Sequence, residues 1–440
     1  MHTSKPTDSS AGKSSRRGTI ASMPAPLRYF PSLVVVLTLA AVAISAHVAC
    51  AAPIAILFVG NSYTFGRLDP VLSYNAANVH DLTAAFNAVS SAGSNPWEPH
   101  PWGGVPGIFK KFTDEAGLSY DVSISARNAA SLRGQFLNTA NAAWDLRGNV
   151  ASRTWDAVVL QEQSDAALPP NKGKNANLAT FNAYADKFEK FIHNGAAETY
   201  TETALFGGLA ACMATGLSAG SCNLARSIPK NLHASPATKV YLTETWARPD
   251  MVFPHLITTP DTTTSDGRPI VDTSSAGGSA TLYYPTLAAM TQDLHTAFYA
   301  KASTNPNFAG VIPVGDAFQR ALDQNLVKTS GFYDASGIYT TPQAGDPINL
   351  WWDDYLHASK YGSYLDALVQ FGTITGLDPQ SLGSSEIAGS DLGISSSDAL
   401  MLQRVAAAQL GFAVVPEPGT LALMLAGLAL IGRVSRGQRQ

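Results

Sequence analysis

Apolar positions along this chain alternate between short unbroken runs and longer stretches at helical spacing. Ile54–Val59 (IAILFV) follows a proline and is apolar throughout, the pattern of a strand buried on both faces. Ser119–Ser125 (SYDVSIS) alternates polar and apolar residues. Asp156–Leu160 (DAVVL), Lys239–Leu242 (KVYL) and Gly310–Val314 (GVIPV) give three further short runs. Helical spacing falls between them. Leu178–His193 carries Phe181, Tyr184, Phe188 and Ile192 on one face, and Leu282–Ala300 carries Leu287, Met290, Leu294 and Phe298. Ala317–Leu326 and Tyr364–Thr375 follow. Strands separated by helices predict an α/β protein whose central parallel sheet, of about five strands, is covered by helices on both faces. Chemistry then belongs at the carboxyl ends of the strands.

Three stretches interrupt the alternation. Asn95–Pro106 (NPWEPHPWGGVP) reads as a loop, with Trp97 and Trp102 either contacting substrate or lying on plain surface. Gly207–Asn231 is an insertion of small residues, and Thr258–Gly278 is rich in Ser, Thr and Asp. No internal repeat appears.

The two ends follow a different pattern. Arg28 precedes an apolar run from Leu33 to Ile44 and then AHVACAAP, the layout of a secretory signal cleaved near Ala51 or Ala52. The run is short for a span of about 20 residues. Met23 is an alternative start to Met1. Cys50 invites a lipoprotein reading, but His47 stands where such signals carry an aliphatic residue. At the other end Val415-Pro416-Glu417-Pro418 precedes an apolar segment, Leu421 to Ile431, and then Arg433, Arg436 and Arg439. This segment resembles the PEP-CTERM sorting signal. The resemblance implies export in a Gram-negative bacterium, processing by an exosortase, and transient residence in the inner membrane before release to the surface or beyond. The basic tail would stay cytoplasmic. The chain thus divides into an export segment (1–52), one large domain (53–410) and a sorting segment (411–440).

Composition narrows the function classes. The apolar fraction, 45%, is ample for a large core, while only 14% of residues are charged. The net charge of −4 comes with no basic stripe, so nothing points to nucleic acid. Cys212 and Cys222, ten positions apart, are either a local disulfide in an oxidising compartment or two buried thiols. His80, His100, His193, His233, His255 and His295 are scattered without ligand spacing, and no phosphate loop or dinucleotide fingerprint is present. No metal and no cofactor are assigned.

Two short motifs carry chemistry. Gly60-Asn61-Ser62 ends the first strand, which puts Ser62 at the active edge of the sheet, as a nucleophile or as a helix cap. Asp354 stands three residues before His357, so its carboxylate can hold one ring nitrogen while the other takes a proton from a serine. Asp353 is the neighbouring rival. Glu162 and Glu244 follow the third and fourth strands and are read as substrate-binding or structural.

Together, GNSYT and DDYLHASKYGSYLDAL resemble the first and last blocks of the SGNH (GDSL-like) hydrolases. WDAVVLQEQS, KVYLTETWARPD and GVIPVGDAF resemble the intervening strands of a branch with a Gln-rich third block. The resemblance implies a three-layer, flavodoxin-like SGNH hydrolase fold and a serine esterase acting on acyl esters, with acylated polysaccharide as a plausible substrate. It makes Ser62 the nucleophile, His357 the base and Asp354 its orienter. Oxyanion donors would be the N–H of Ser62, the N–H of Ala129 and the side-chain amide of Gln163. Ala129 replaces the glycine of the family's G-G-x-S-L segment, here Asn128-Ala129-Ala130-Ser131-Leu132, and serves if its backbone does not need positive φ. Gly134 is the substitute donor. The same fold without catalysis, as a carbohydrate-binding surface protein, and acyl transfer to a glycan are the alternatives.

Overall fold

The computed structural model of the chain describes residues 52–85, 99–138, 145–257, 277–340, 342–343 and 345–413. The export segment up to residue 51, the sorting segment from 414 onward, Trp97 and residues 258–276 lie outside the described residues.

The central sheet is built from β1 (Ile54–Gly60), β2 (His80–Asp81), β3 (Tyr120–Ala126), β4 (Ala157–Gln161), β7 (Lys239–Thr243) and β8 (Phe308–Ile312). Two short antiparallel strands, β5 (Glu198–Tyr200) and β6 (Arg226–Ile228), form a separate hairpin. The six-stranded order is β2-β3-β1-β4-β7-β8, and every pairing is parallel. Setting aside the two-residue edge strand β2, the order is second, first, third, fourth, fifth, which is the flavodoxin-like arrangement. The chain reverses its direction of travel between β1 and β4. That is the switch point where such sheets open a crevice at their carboxyl ends.

β1 lies at the centre of the sheet because its side chains are apolar throughout, and all beyond the first are buried. Ala55, Ile56, Leu57, Phe58 and Val59 are each at most 3% exposed. Each large apolar side chain withdrawn from water there contributes about 1.5–3 kcal/mol before chain entropy is counted. Gly60 pairs with Ala126 on one side, and Val59 pairs with Leu160 on the other, so the three carboxyl ends meet.

Helices α2 (Gly104–Glu115), α11 (Lys360–Thr375) and α13 (Ser396–Gln409) pack together on one face. Helices α3 (Leu132–Leu137) and α5 (Leu178–His193) pack on the other, as right-handed crossovers from a doubly wound sheet require. α9 (Leu287–Thr304) joins α5 through Phe181 and Phe298, and α10 (Val314–Asp323) packs against both α9 and α11.

The element boundaries follow local chemistry. The helix expected from Leu282 begins at Leu287, because Pro285 disfavours helix before it and Thr286 caps the Ala289 N–H. The last strand ends at Ile312 rather than Val314, since Pro313 has no N–H to give the ladder.

The insertion before β7 has structure of its own. Between β5 and β6 lie three short helices, α6 (Glu202–Leu205), α7 (Leu209–Ala214) and α8 (Ala219–Asn223), and a Cys212–Cys222 disulfide joins the last two. Fully buried Glu202 ties this unit to the domain. It accepts from Arg133 Nε and Nη2 at 2.6 and 2.8 Å, Arg226 Nη2 at 2.9 Å and Tyr184 Oη at 2.6 Å. Burial pushes its carboxyl up, but these donors and the Arg133 charge outweigh burial and the net shift is downward.

Candidate active site

β1 runs into α1 (Ser62–Phe65), a single turn, through Gly60 and Asn61. A side chain at position 60 does not fit. A Cβ there would lie 1.9 Å from Thr64 Oγ1 and 2.8 Å from Gln161 Oε1. Asn61 is the helix cap, its Oδ1 accepting the Tyr63 N–H at 3.1 Å, so Ser62 is freed from that role. The Asn61 amide also reaches across the crevice. Its Nδ2 donates to Ala130 O at 3.0 Å and Glu162 O at 3.4 Å, and its N–H donates to Gln161 Oε1 at 3.1 Å. One side chain thereby stitches the ends of β1 and β4 to the loop after β3.

The loop that holds His357 is equally constrained. Asp354 Oδ1 accepts the N–H groups of Leu356 and His357 at 3.0 and 2.9 Å, which leaves Oδ2 to face the ring at 2.6 Å from His357 Nδ1. The loop closes on itself, with Trp352 N–H donating to His357 O at 2.8 Å and Ser359 N–H to Leu350 O at 2.9 Å. Trp246 Nε1 donates to Leu356 O, and Trp351 Nε1 to Ala247 O, both at 3.1 Å. Ser359 then caps α11 through the Tyr361 and Gly362 N–H groups.

These two loops meet. His357 Nε2 lies 2.8 Å from Ser62 Oγ across 295 residues of sequence. Both side chains are nearly out of solvent, at 6% and 5% exposed. Tyr63 stacks on Trp246 with centroids 3.9 Å apart and meets the His357 ring edge-on at 5.8 Å. Trp246 stacks in turn on Phe318 at 4.9 Å. The imidazole is thus wedged between an aromatic stack and a pinned carboxylate. Burial pushes the Asp354 carboxyl up. The hydrogen bond and charge of His357 and the two backbone donors overcome this, and its pKa is lowered. Asp353 makes no hydrogen bond to the ring. Burial and the neighbouring Asp354 charge raise its pKa.

The oxyanion candidates lie at element ends: Ser62 opens α1, Ala129 is in the loop between β3 and α3, and Gln163 follows β4. Among the described residues neither the Ser62 N–H nor the Ala129 N–H has an acceptor. Ala129 stands at φ 56°, in the left-handed region, so the condition that its backbone avoid positive φ is not met. The alanine holds a conformation that glycine adopts freely, and the strain costs about 1–3 kcal/mol. Gly134 is no substitute donor, because its N–H goes to Ser131 Oγ at 3.2 Å as part of the α3 cap. Gln163 follows β4. Its Nε2 donates to Ser164 Oγ at 2.9 Å and its Oε1 is buried without a partner.

Other candidates are structural. Glu162 Oε1 accepts the Leu132 and Gln163 N–H groups at 2.9 and 2.7 Å, locking the start of α3 to the end of β4. Trp102 is buried and stacks on Phe65 and His100 at 3.9 and 3.7 Å, so it belongs to the core rather than to a substrate surface. Sequence reasoning missed Asn61, Gln161, Trp246 and Glu202. The only signal for Asn61 was its place between Gly60 and Ser62. The other three act through partners remote in sequence.

A cavity of about 410 Å³ lies beside the His357 loop. Arg67 and Leu68 line it from the segment after α1, and Trp352, Asp353, Lys360 and Tyr361 from the residues flanking His357.

Residues 414–440 match the PEP-CTERM protein-sorting motif. The C-terminus therefore carries an export-and-sorting address of the kind processed by an exosortase. No curated protein matches the chain. Among solved structures, the chain is similar to a DUF4886 family protein from Bacteroides uniformis, at 12% identity and a TM-score of 0.37, over 81% of this chain and 95% of that one. A candidate SGNH hydrolase from Slackia heliotrinireducens aligns at 16% identity and a TM-score of 0.30, over 73% of this chain and 99% of that one. Phospholipase A1 from Streptomyces albidoflavus aligns at 10% identity and a TM-score of 0.32, over 74% and 99%.

Proposed function

We propose that this chain is an exported serine esterase working by an acyl-enzyme mechanism. Ser62 Oγ attacks the ester carbonyl and its proton passes to His357 Nε2. Asp354 holds the imidazole in the correct tautomer and stabilises the imidazolium that forms. The N–H groups of Ser62 and Ala129 and the amide of Gln163 are the donors assigned to the tetrahedral oxyanion, and a set of that kind contributes several kcal/mol at the transition state. The proton on Nε2 then goes to the departing alcohol. Water repeats the sequence on the acyl-Ser62 ester and releases the acid.

The observation that carries this reading is the relay itself: 2.8 Å from hydroxyl to imidazole and 2.6 Å from imidazole to carboxylate, on two loops that share no local sequence. Support for a carbohydrate ester as substrate is more indirect. The cavity beside the His357 loop presents Trp352 and Tyr361 with Arg67, Asp353 and Lys360, a mixture of flat apolar faces and polar groups that suits a sugar ring as the alcohol part. A short acyl chain fits the near-complete burial of Ser62.

A fluorophosphonate probe tests the nucleophile. The wild-type protein is expected to label stoichiometrically and Ser62→Ala not at all. Equal labelling of both proteins would remove Ser62 from the mechanism. A folded wild-type protein that never labels would instead favour a carbohydrate-binding role without catalysis.

A further inference from the structure

The carboxyl end of β7 carries a second convergence of ionisable groups. Glu244 directly follows β7, His295 lies on α9, and Asp316 is in the first turn of α10. One ligand atom from each lies within 4.8 Å of the other two. Glu244 has no solvent exposure. Its Oε2 accepts the Asp316 N–H at 3.3 Å, which explains half of the carboxylate. Its Oε1 is buried with no hydrogen-bond partner among the described residues. His295 Nδ1 lies 2.9 Å from Asp316 Oδ2. The side chains of His295 and Asp316 are 38% and 17% exposed, so the cluster is closed on the Glu244 side and open to water on the other.

Two carboxylates converging beside an orphaned buried oxygen need a positive charge between them or a shared proton. Among the described residues no Lys or Arg pairs with Glu244 or Asp316; the groups facing Asp316 are the His295 imidazole, the Tyr299 hydroxyl, the Gln409 amide and the Glu244 carboxyl itself. We propose that Glu244, His295 and Asp316 bind a divalent transition cation of the Zn²⁺ or Mn²⁺ class, with water completing its shell on the open side. Carboxylate oxygens with one imidazole nitrogen suit these ions. Ca²⁺, which takes six to eight oxygens, is poorly served by three side chains. The three ligands come from a strand end and two helices, so the ion clamps α9 and α10 to the sheet. It takes no part in the ester chemistry. The spacing along the chain, 51 and 21 residues, is why no local motif announces the site.

Equilibrium dialysis of the chelator-treated full chain, with ZnCl₂ or MnCl₂ alone, tests the site, followed by thermal unfolding at neutral pH. One ion per chain and a raised Tm are expected for wild type and for Ser62→Ala. His295→Ala and Asp316→Asn are expected to weaken binding on the order of 100-fold. Fluorophosphonate labelling of His295→Ala at the wild-type level shows that this variant is folded. Absence of saturable binding by wild type would overturn the proposal, as would equal binding by His295→Ala and Asp316→Asn. Stabilisation by acid with no response to either metal would also overturn it and assign a shared proton. A failure to label with probe alongside normal metal binding would count against the esterase reading alone.

Discussion

Asp353 and Asp354 are adjacent carboxylates with opposite surroundings. Asp354 accepts two backbone N–H groups on one oxygen and faces His357 with the other, whereas Asp353 lines the neighbouring cavity. Asp354→Asn is expected to lower kcat by about 10³–10⁴-fold with little change in KM, because the amide fixes the wrong tautomer. Asp353→Asn is expected to leave kcat within about threefold. Equal losses in the two variants would contradict the assignment. The three-residue spacing already singled out Asp354 over its neighbour, since a turn of that length brings carboxylate to ring. Ala129 shows the opposite case. Its backbone angle is set by the packing of the loop against Asn61 and cannot be read from the sequence. Ala129→Gly is expected to raise stability by about 1 kcal/mol in urea unfolding, with probe labelling no slower than wild type. A destabilised Ala129→Gly would show that the alanine is unstrained. Asn61 and Gln161 were illegible for the same reason: they act by joining the ends of different strands.

At the scale of elements, α11 matters most because it follows His357 directly. It is apolar on nearly every side and is buried from Gly362 to Gly372, as expected of a helix sandwiched between α2 and α13. Asp366 breaks this pattern. It is fully enclosed, with Gln370 Nε2 donating to it at 2.7 Å, and burial pushes its pKa up to about 7. An unfolded Asp titrates near 3.9. Between these values the folded chain holds a proton that the unfolded chain has released. Stability therefore falls as pH rises from about 4 to about 7, and the full penalty is present above that. Asp366→Asn removes the charge, and its amide can donate to Gln370 Oε1, a buried acceptor without a partner. The variant is expected to be more stable than wild type on the order of 2–4 kcal/mol at pH 8 and to converge with it near pH 4. Parallel pH profiles in urea unfolding would contradict this. The helices and long strands were legible because their apolar periods are clear. The start of α5 at Leu178 was legible as well, but those of α9 and α11 were not, because Thr286 and Ser359 set them through cap bonds that periodicity does not encode. The β5–β6 hairpin was missed because Glu202, Arg133 and Arg226 hold it by charge rather than by an apolar pattern.

At the scale of the molecule, the order of the five long strands places β1 and β4 side by side and brings the loop before α11 over their carboxyl ends. Short apolar runs in βα alternation were enough to expect a parallel sheet covered by helices, while the flavodoxin-like order was an expectation from the family resemblance. β2, at two residues, was too short to carry a signal. Among the described residues no helix is long and apolar enough to cross a membrane, and the sorting address lies outside them. The export reading and the catalytic reading therefore rest on separate parts of the chain. The catalytic one is tested most directly by rapid acid quenching during turnover of an activated acetyl ester, followed by peptide mass spectrometry. An acetyl adduct is expected on the peptide that contains Ser62, absent in Ser62→Ala and no longer discharged at the wild-type rate in His357→Ala. Turnover that persists in Ser62→Ala, or an adduct on any other residue, would contradict it.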